Sequence, residues 1–117
     1  MLSSLAGIHA RRWWPEDVTF ADAASLAGAK ALAEAGIEPG QVGLLIDTSV
    51  CRDRLEPSAA VDVHDQLDLP TSCLNFDLSN ACLGFMNGMQ LAATMIDAGT
   101  IDYALIVDGE AIAIASP

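Results

Sequence analysis

Basic side chains are scarce in this sequence: five Lys and Arg stand against sixteen Asp and Glu, a formal charge of −11. That balance argues against a nucleic-acid partner, because phosphate contacts need clustered Lys and Arg. It also argues against attraction to an anionic membrane surface. The carboxylate excess reads first as solubility and mutual repulsion. Four of the basic residues form two pairs, Arg11/Arg12 and Arg52/Arg54, placed to meet one anionic ligand or neighbouring carboxylates. Histidine is limited to His9 and His64. Neither is spaced as a ligand with another His or a Cys pair, so no metal site is expected. The three cysteines, Cys51, Cys73 and Cys82, cannot all pair within one chain. The start lacks a basic segment leading into a long apolar run. Free thiols in a reducing cytoplasm are therefore the expectation. The longest uncharged stretch, Leu78 to Ile96, has the length of a membrane span. It contains Ser79, Asn80, Asn87, Gln90 and two glycines, so no membrane span is expected.

What the chain does have is apolar content: 52% of its 117 residues are hydrophobic. A disordered chain carries far less. The length suits one domain or a piece of one, able to bury roughly two thirds of its unfolded surface. Residues 1–18 show no clear period. Thr19, with Asp22 three residues on, predicts a helix N-terminus, the helix running from Phe20 to Ala35 and stopping at Gly36. Pro39-Gly40 marks a turn. Val42 to Thr48 is a short apolar run of the kind covered on both faces in a parallel sheet. Ser58 caps a predicted helix to about Leu67, and Pro70 ends that unit. Cys73 to Leu78 is a second strand, Cys82 to Ala98 a helix stopped by Gly99, and Tyr103 to Asp108 a third strand. This alternation predicts an α/β fold, a mixed, mainly parallel sheet layered with helices. The sequence after Glu110, Ala-Ile-Ala-Ile-Ala-Ser-Pro, supplies no closing helix. The expected organisation is one incomplete domain over 1–117, with no linker, repeat or low-complexity segment.

The segment from Asn75 to Gly88 carries the most chemistry. It sets Cys82 at the expected first turn of a buried helix directly after a strand. Backbone N–H groups and the helix dipole there favour a thiolate. Ala81 and Gly84 are small enough to let a carbonyl approach, and the Cys82 N–H would form half of an oxyanion hole. A lone cysteine on an apolar helix is also commonly just a small buried hydrophobe. Cys51 and Cys73 are read as structural thiols. Asn80 is expected to support the turn, and Asp77 to bond backbone groups.

The stretch Asp77-Leu78-Ser79-Asn80-Ala81-Cys82-Leu83-Gly84-Phe85 resembles the nucleophile region of the ketoacyl synthase III group of the thiolase superfamily. Ala6-Gly7-Ile8 with Arg11-Arg12, Ala35-Gly36-Ile37, and Ile101 to Val107 are similar to further segments of that group, so the likeness covers residues 5–110. Thr48 to Ser58 resembles a loop of the olefin-pathway members, which join two acyl-CoA molecules. Trp13-Trp14-Pro15 and Leu83 lean the same way. The resemblance implies a partial thiolase-like fold, the N-terminal half, with Cys82 as acyl-accepting nucleophile. It implies Glu56 as the base that takes an α-proton, acting across a homodimer at the partner's cysteine. It implies acyl-CoA or acyl carrier protein as partner, coenzyme A thioesters as substrates and no other cofactor. Dimerisation would run through the strand at 73–78.

The residues also leave Glu56 readable as a solvated loop carboxylate paired with Arg52 or Arg54. A base acting on a weak carbon acid needs burial to raise its pKa. Met1 and Leu5 stand where fatty-acid members carry coenzyme-gripping Trp and Arg, so no coenzyme-binding residues are assigned. No stretch matches the family's catalytic His and Asn, which implies an inactive isolated piece with an apolar face left open to association. A fatty-acid starter enzyme using malonyl carrier protein and a non-catalytic interaction domain are the alternative readings.

Overall fold

In a computed structural model of the protein, residues 19–49, 56–81 and 83–108 and the backbone of 112–115 are described. The opening segment with its Arg and Trp pairs, the loop holding Cys51, Arg52 and Arg54, and Cys82 itself lie outside them.

Helix α1 spans Phe20–Ala35. It opens on the expected cap: Asp22 N–H donates to Thr19 Oγ1 at 3.0 Å and Thr19 N–H donates to the Asp22 carboxylate at 3.2 Å. That backbone bond, followed by the Gln66 amide donating to Asp22, lowers the Asp22 pKa below 3.8. The helix ends where Gly36 takes φ 72, a left-handed turn that a glycine enters without a Cβ penalty. A 3₁₀ turn at Pro39–Gln41 leads into strand β1, Val42–Asp47. Helix α2, Ala59–Gln66, is capped by Ser58, whose Oγ accepts the Val61 N–H at 3.3 Å. Strand β2 is Leu74–Asp77, helix α3 is Gly84–Asp97, and strands β3 and β4 are Tyr103–Val107 and Ile112–Ala115.

The sheet order is β2-β1-β3-β4. β1 runs parallel to both β2 and β3, and β4 pairs antiparallel with β3, from Val107↔Ile112 to Ala104↔Ala115. The mixed, mainly parallel sheet expected from the sequence is present. Strand β4 is an addition to that expectation: the chain after β3 folds back and occupies that strand's outer edge.

Side chains alternate across the sheet, and each face has its own core. Leu45, Leu105 and Val107 pack with Ala21, Ala24 and Leu32 of α1 and Ala60 and Val63 of α2. A register irregularity between Val42 and Leu44 accompanies the placement of Val42 on that face too. Leu44, Ile46, Ala104 and Ile106 pack on the other face with Ala92, Phe85 and Met95 of α3. Each fully buried Leu, Ile or Val contributes about 1.5–3 kcal/mol. The result is three layers, with α1 and α2 below the sheet and α3 above it. The outer side of α3 stays open: Leu83, just before it, is 60% exposed and Met86 is 63% exposed. Among the described residues no helix is long and apolar enough to cross a membrane.

Candidate active site

The C-terminal ends of β1, β2 and β3 converge on one edge of the sheet, and Asp47, Asp77 and Asp108 stand there. Ligand chemistry in open α/β sheets gathers at such an edge. Asp47 is buried, and its carboxylate accepts the Ser49 N–H at 2.8 Å. Burial first, with Asp77 and Asp108 nearby as lesser causes, raises its pKa above 3.8 against the pull of the Ser49 bonds. Asp77 does bond backbone groups, as expected: it accepts the N–H of Ala59 and of Ala60, both at 2.9 Å. Which groups these would be was not legible in the sequence. Among the described residues, no cluster of His, Cys, Asp and Glu could hold a metal ion.

Between β2 and α3 the chain makes a compact turn. Leu83 N–H donates to Asn80 O at 2.9 Å and Gly84 N–H donates to Ala81 O at 3.3 Å. The Asn80 amide donates to Asn87 Oδ1 at 2.6 Å, tying the turn to the helix it introduces. Ala81 sits at φ 45. That left-handed conformation costs an L-residue about 1–2 kcal/mol. With the Asn80 and Ala81 carbonyls engaged by the N–H groups of Leu83 and Gly84, α3 starts at Gly84, not at about Cys82 as expected from the sequence. Cys82 thus precedes the helix in the chain instead of opening its first turn, and its side chain lies outside the described residues.

The helix start is held hard against the sheet edge. A Cβ on Gly84 would fall 3.2 Å from Leu78 O and 3.5 Å from Thr48 O. A Cβ on Gly88 would fall 3.2 Å from Thr48 Cγ2 and 3.4 Å from Ile106 Cγ2. Both absent side chains let the backbone approach. No side chain caps α3, and its first turn holds no acidic residue. The positive end of its dipole is therefore not offset locally, a setting that favours an anion in the adjoining turn.

Glu56 lies in the loop that enters α2, joined to Pro57 by a cis peptide bond, and it is exposed. The burial a carbon-acid base requires is not supplied by the described residues. Arg52 and Arg54, its alternative partners, lie outside them. Cys73 fits its structural reading: it is buried, its Sγ donates to Leu74 O at 3.5 Å, and burial pushes its pKa up to about 11. His64 is engaged locally, with Nε2 3.0 Å from Pro70 O.

The sequence profile of the 3-oxoacyl-[acyl-carrier-protein] synthase III family matches residues 76–115, from the end of β2 through α3 to β4. An acyl-CoA:acyl-CoA alkyltransferase of Xanthomonas campestris is 54% identical over 110 residues, covering 94% of this chain and 32% of that protein. This chain is synthase III-like. Two solved variants of OleA from the same species, one with a cysteine changed to alanine and one with a glutamate changed to aspartate, superpose on it. Each has a TM-score of 0.81 at 54% identity, over 88% of this chain and 30% of the other. The synthase III-like chain thus has a partial thiolase-type α/β fold. It spans about a third of the length of the curated relatives it matches.

Proposed function

We infer that this synthase III-like segment carries the nucleophile of an enzyme that condenses two acyl-CoA molecules into a β-keto thioester. The observation that carries the reading is the turn from β2 into α3. Two glycine contacts press an uncapped helix start onto the strand ends, and in sequence Cys82 stands two residues before that start. The name of the Xanthomonas relative supports acyl-CoA on both sides of the reaction. In the two OleA variants the altered glutamate precedes the altered cysteine by the same interval that separates Glu56 from Cys82. This supports Cys82 and Glu56 as the working pair.

In this mechanism the Cys82 thiolate attacks the carbonyl of one acyl-CoA. The helix dipole favours the anion, and backbone N–H groups of the turn stabilise the tetrahedral oxyanion. The C–S bond to coenzyme A breaks, and the acyl group remains on Cys82. Glu56 then takes an α-proton from a second acyl-CoA. The resulting carbanion attacks the acyl-Cys82 carbonyl, a C–C bond forms, and the Cys82 thiolate leaves. Free coenzyme A and a β-keto acyl-CoA are the products. Exposure of Glu56 in the single chain accords with a base completed by a second subunit. The edge position of β2, with Leu74 53% exposed, supports a homodimer seam along that strand.

The test is Glu56→Gln in the full-length protein. Cys82 should still be acylated, seen as a stoichiometric burst of coenzyme A, while β-keto product falls by about 10²-fold or more. Normal condensation by this variant removes Glu56 as base. A starter enzyme using malonyl carrier protein would reveal itself by accepting that substrate in place of the second acyl-CoA.

A further inference from the structure

Asp77 closes β2, and its two carboxylate oxygens are used separately. Oδ2 accepts the Ala59 N–H and Oδ1 the Ala60 N–H, each at 2.9 Å. These are the first two residues of α2. Charge-assisted bonds to backbone N–H groups are stronger than neutral ones, and this carboxylate also meets the positive end of the α2 dipole. The helix already has a local cap in Ser58. A second acceptor, 18 and 17 positions away in sequence, therefore fixes where the helix start sits and not merely that it forms. The donors lie just after Glu56, and the acceptor lies just before the turn of Cys82. One side chain thus fastens the Glu56 segment to the strand leading to Cys82.

We propose that Asp77 is a positioning residue for condensation: by holding the start of α2 against the end of β2, it sets where the Glu56 carboxylate is delivered. The proposal rests on the reading of Glu56 as the base. It holds whether Glu56 serves its own cysteine or the partner's, since in either case its place is fixed relative to β2, the edge strand of the sheet.

The experiment uses the full-length protein with Asp77→Asn, Glu56→Gln and the double variant. Asparagine offers one acceptor and turns an N–H toward the other donor, so one of the two bonds is lost. Asp77→Asn should keep the coenzyme A burst on Cys82 acylation and lower condensation by about tenfold or more. In the Glu56→Gln background it should add less than about twofold, because a residue acting through Glu56 has nothing left to position. An equal loss of burst and condensation overturns the proposal. So does a Glu56→Gln loss on which Asp77→Asn multiplies independently, an outcome that leaves the base reading standing. If Glu56→Gln condenses normally, the base reading itself fails, and this proposal with it.

Ala59→Pro approaches the same contact from the donor side and decides the matter should Asp77→Asn not fold. Ala59 is the first residue of α2, where proline is accepted, and Ser58 at φ −60, ψ 155 already has the extended conformation needed before proline. The substitution removes the Ala59 N–H and sets a ring carbon toward the carboxylate. It should reproduce the Asp77→Asn pattern; unimpaired condensation by a folded Ala59→Pro protein overturns the proposal.

Discussion

Replacing Gly84 by alanine tests whether the close seat of α3 governs the chemistry at Cys82. The added Cβ would lie 3.2 Å from Leu78 O, 3.5 Å from Thr48 O and 3.6 Å from Thr48 Cβ. The two carbonyls have little room to retreat. Leu78 N–H is bonded to Asp47 O at 2.9 Å, and Thr48 N–H to Val107 O at 2.8 Å, so both residues are stitched to neighbouring strands. The helix start has to lift instead. Alanine restricts the unfolded chain, a gain of about 0.4–1 kcal/mol. Overpacking against fixed backbone costs about 1–3 kcal/mol, so the net expectation is a loss of about 1–2 kcal/mol. Gly40→Ala is the control, because a Cβ there meets nothing within 4 Å. It keeps the unfolded-state gain of about 0.4–1 kcal/mol without the clash. Both variants would be unfolded in denaturant in the full-length protein, and the coenzyme A burst on Cys82 acylation timed. Gly84→Ala should lose stability and acylate about tenfold or more slowly, since small displacements of reacting groups are costly. Gly40→Ala should do neither. A Gly84→Ala protein as stable as its parent, acylating at the parent's rate, refutes the reasoning.

The buried carboxylate of Asp47 gives a pH signature. Its folded pKa is raised above 3.8, chiefly by burial, so its contribution to stability is fully present below that value and is lost as pH rises through the folded pKa. Asp47→Asn, which retains an acceptor for Ser49, should raise the melting temperature at neutral pH, and the gain should vanish below pH 3.8. A loss of stability at neutral pH contradicts this. Thiol labelling separates the cysteines: Cys73, buried and pushed up to about 11, should resist iodoacetamide near neutral pH until the protein unfolds, while Cys82 reacts first. Equal rates at the two sites, followed by peptide mass, would remove the thiolate argument.

Local signals in this sequence are strong where a side chain or a missing one does the work alone. Thr19, Asp22 and Gly36 fix both ends of α1, and the structure has Phe20–Ala35 as read. The three apolar runs became β1, β2 and β3 because β-branched and large apolar residues placed between turn residues have few other ways to be buried. Strand β4 was missed although Ile112-Ala113-Ile114-Ala115 alternates large and small with the period of a strand. Four residues are too short a run for that period to stand apart from a loop until β3 offers an edge to pair with. The start of α3 was read two residues early because nothing in Asn80-Ala81-Cys82 announces a left-handed alanine. Ala81 takes φ 45 between the end of β2 and the closely packed Gly84 that opens α3. The partners of Asp77 were equally out of reach, since they lie 17 and 18 positions away and depend on the parallel pairing of β1 with β2. Of the candidate pair, Glu56 is exposed in the single chain, and on the proposed reading its burial would come from a second subunit, which a sequence read alone does not display.

The backward-wound alanine at position 81 also acts as a filter on sequence drift. Glycine enters that conformation freely and asparagine or aspartate with modest cost, whereas valine, isoleucine and threonine are barred by their branched Cβ. Any lineage that keeps this bend is confined at that one position to a handful of compact residues.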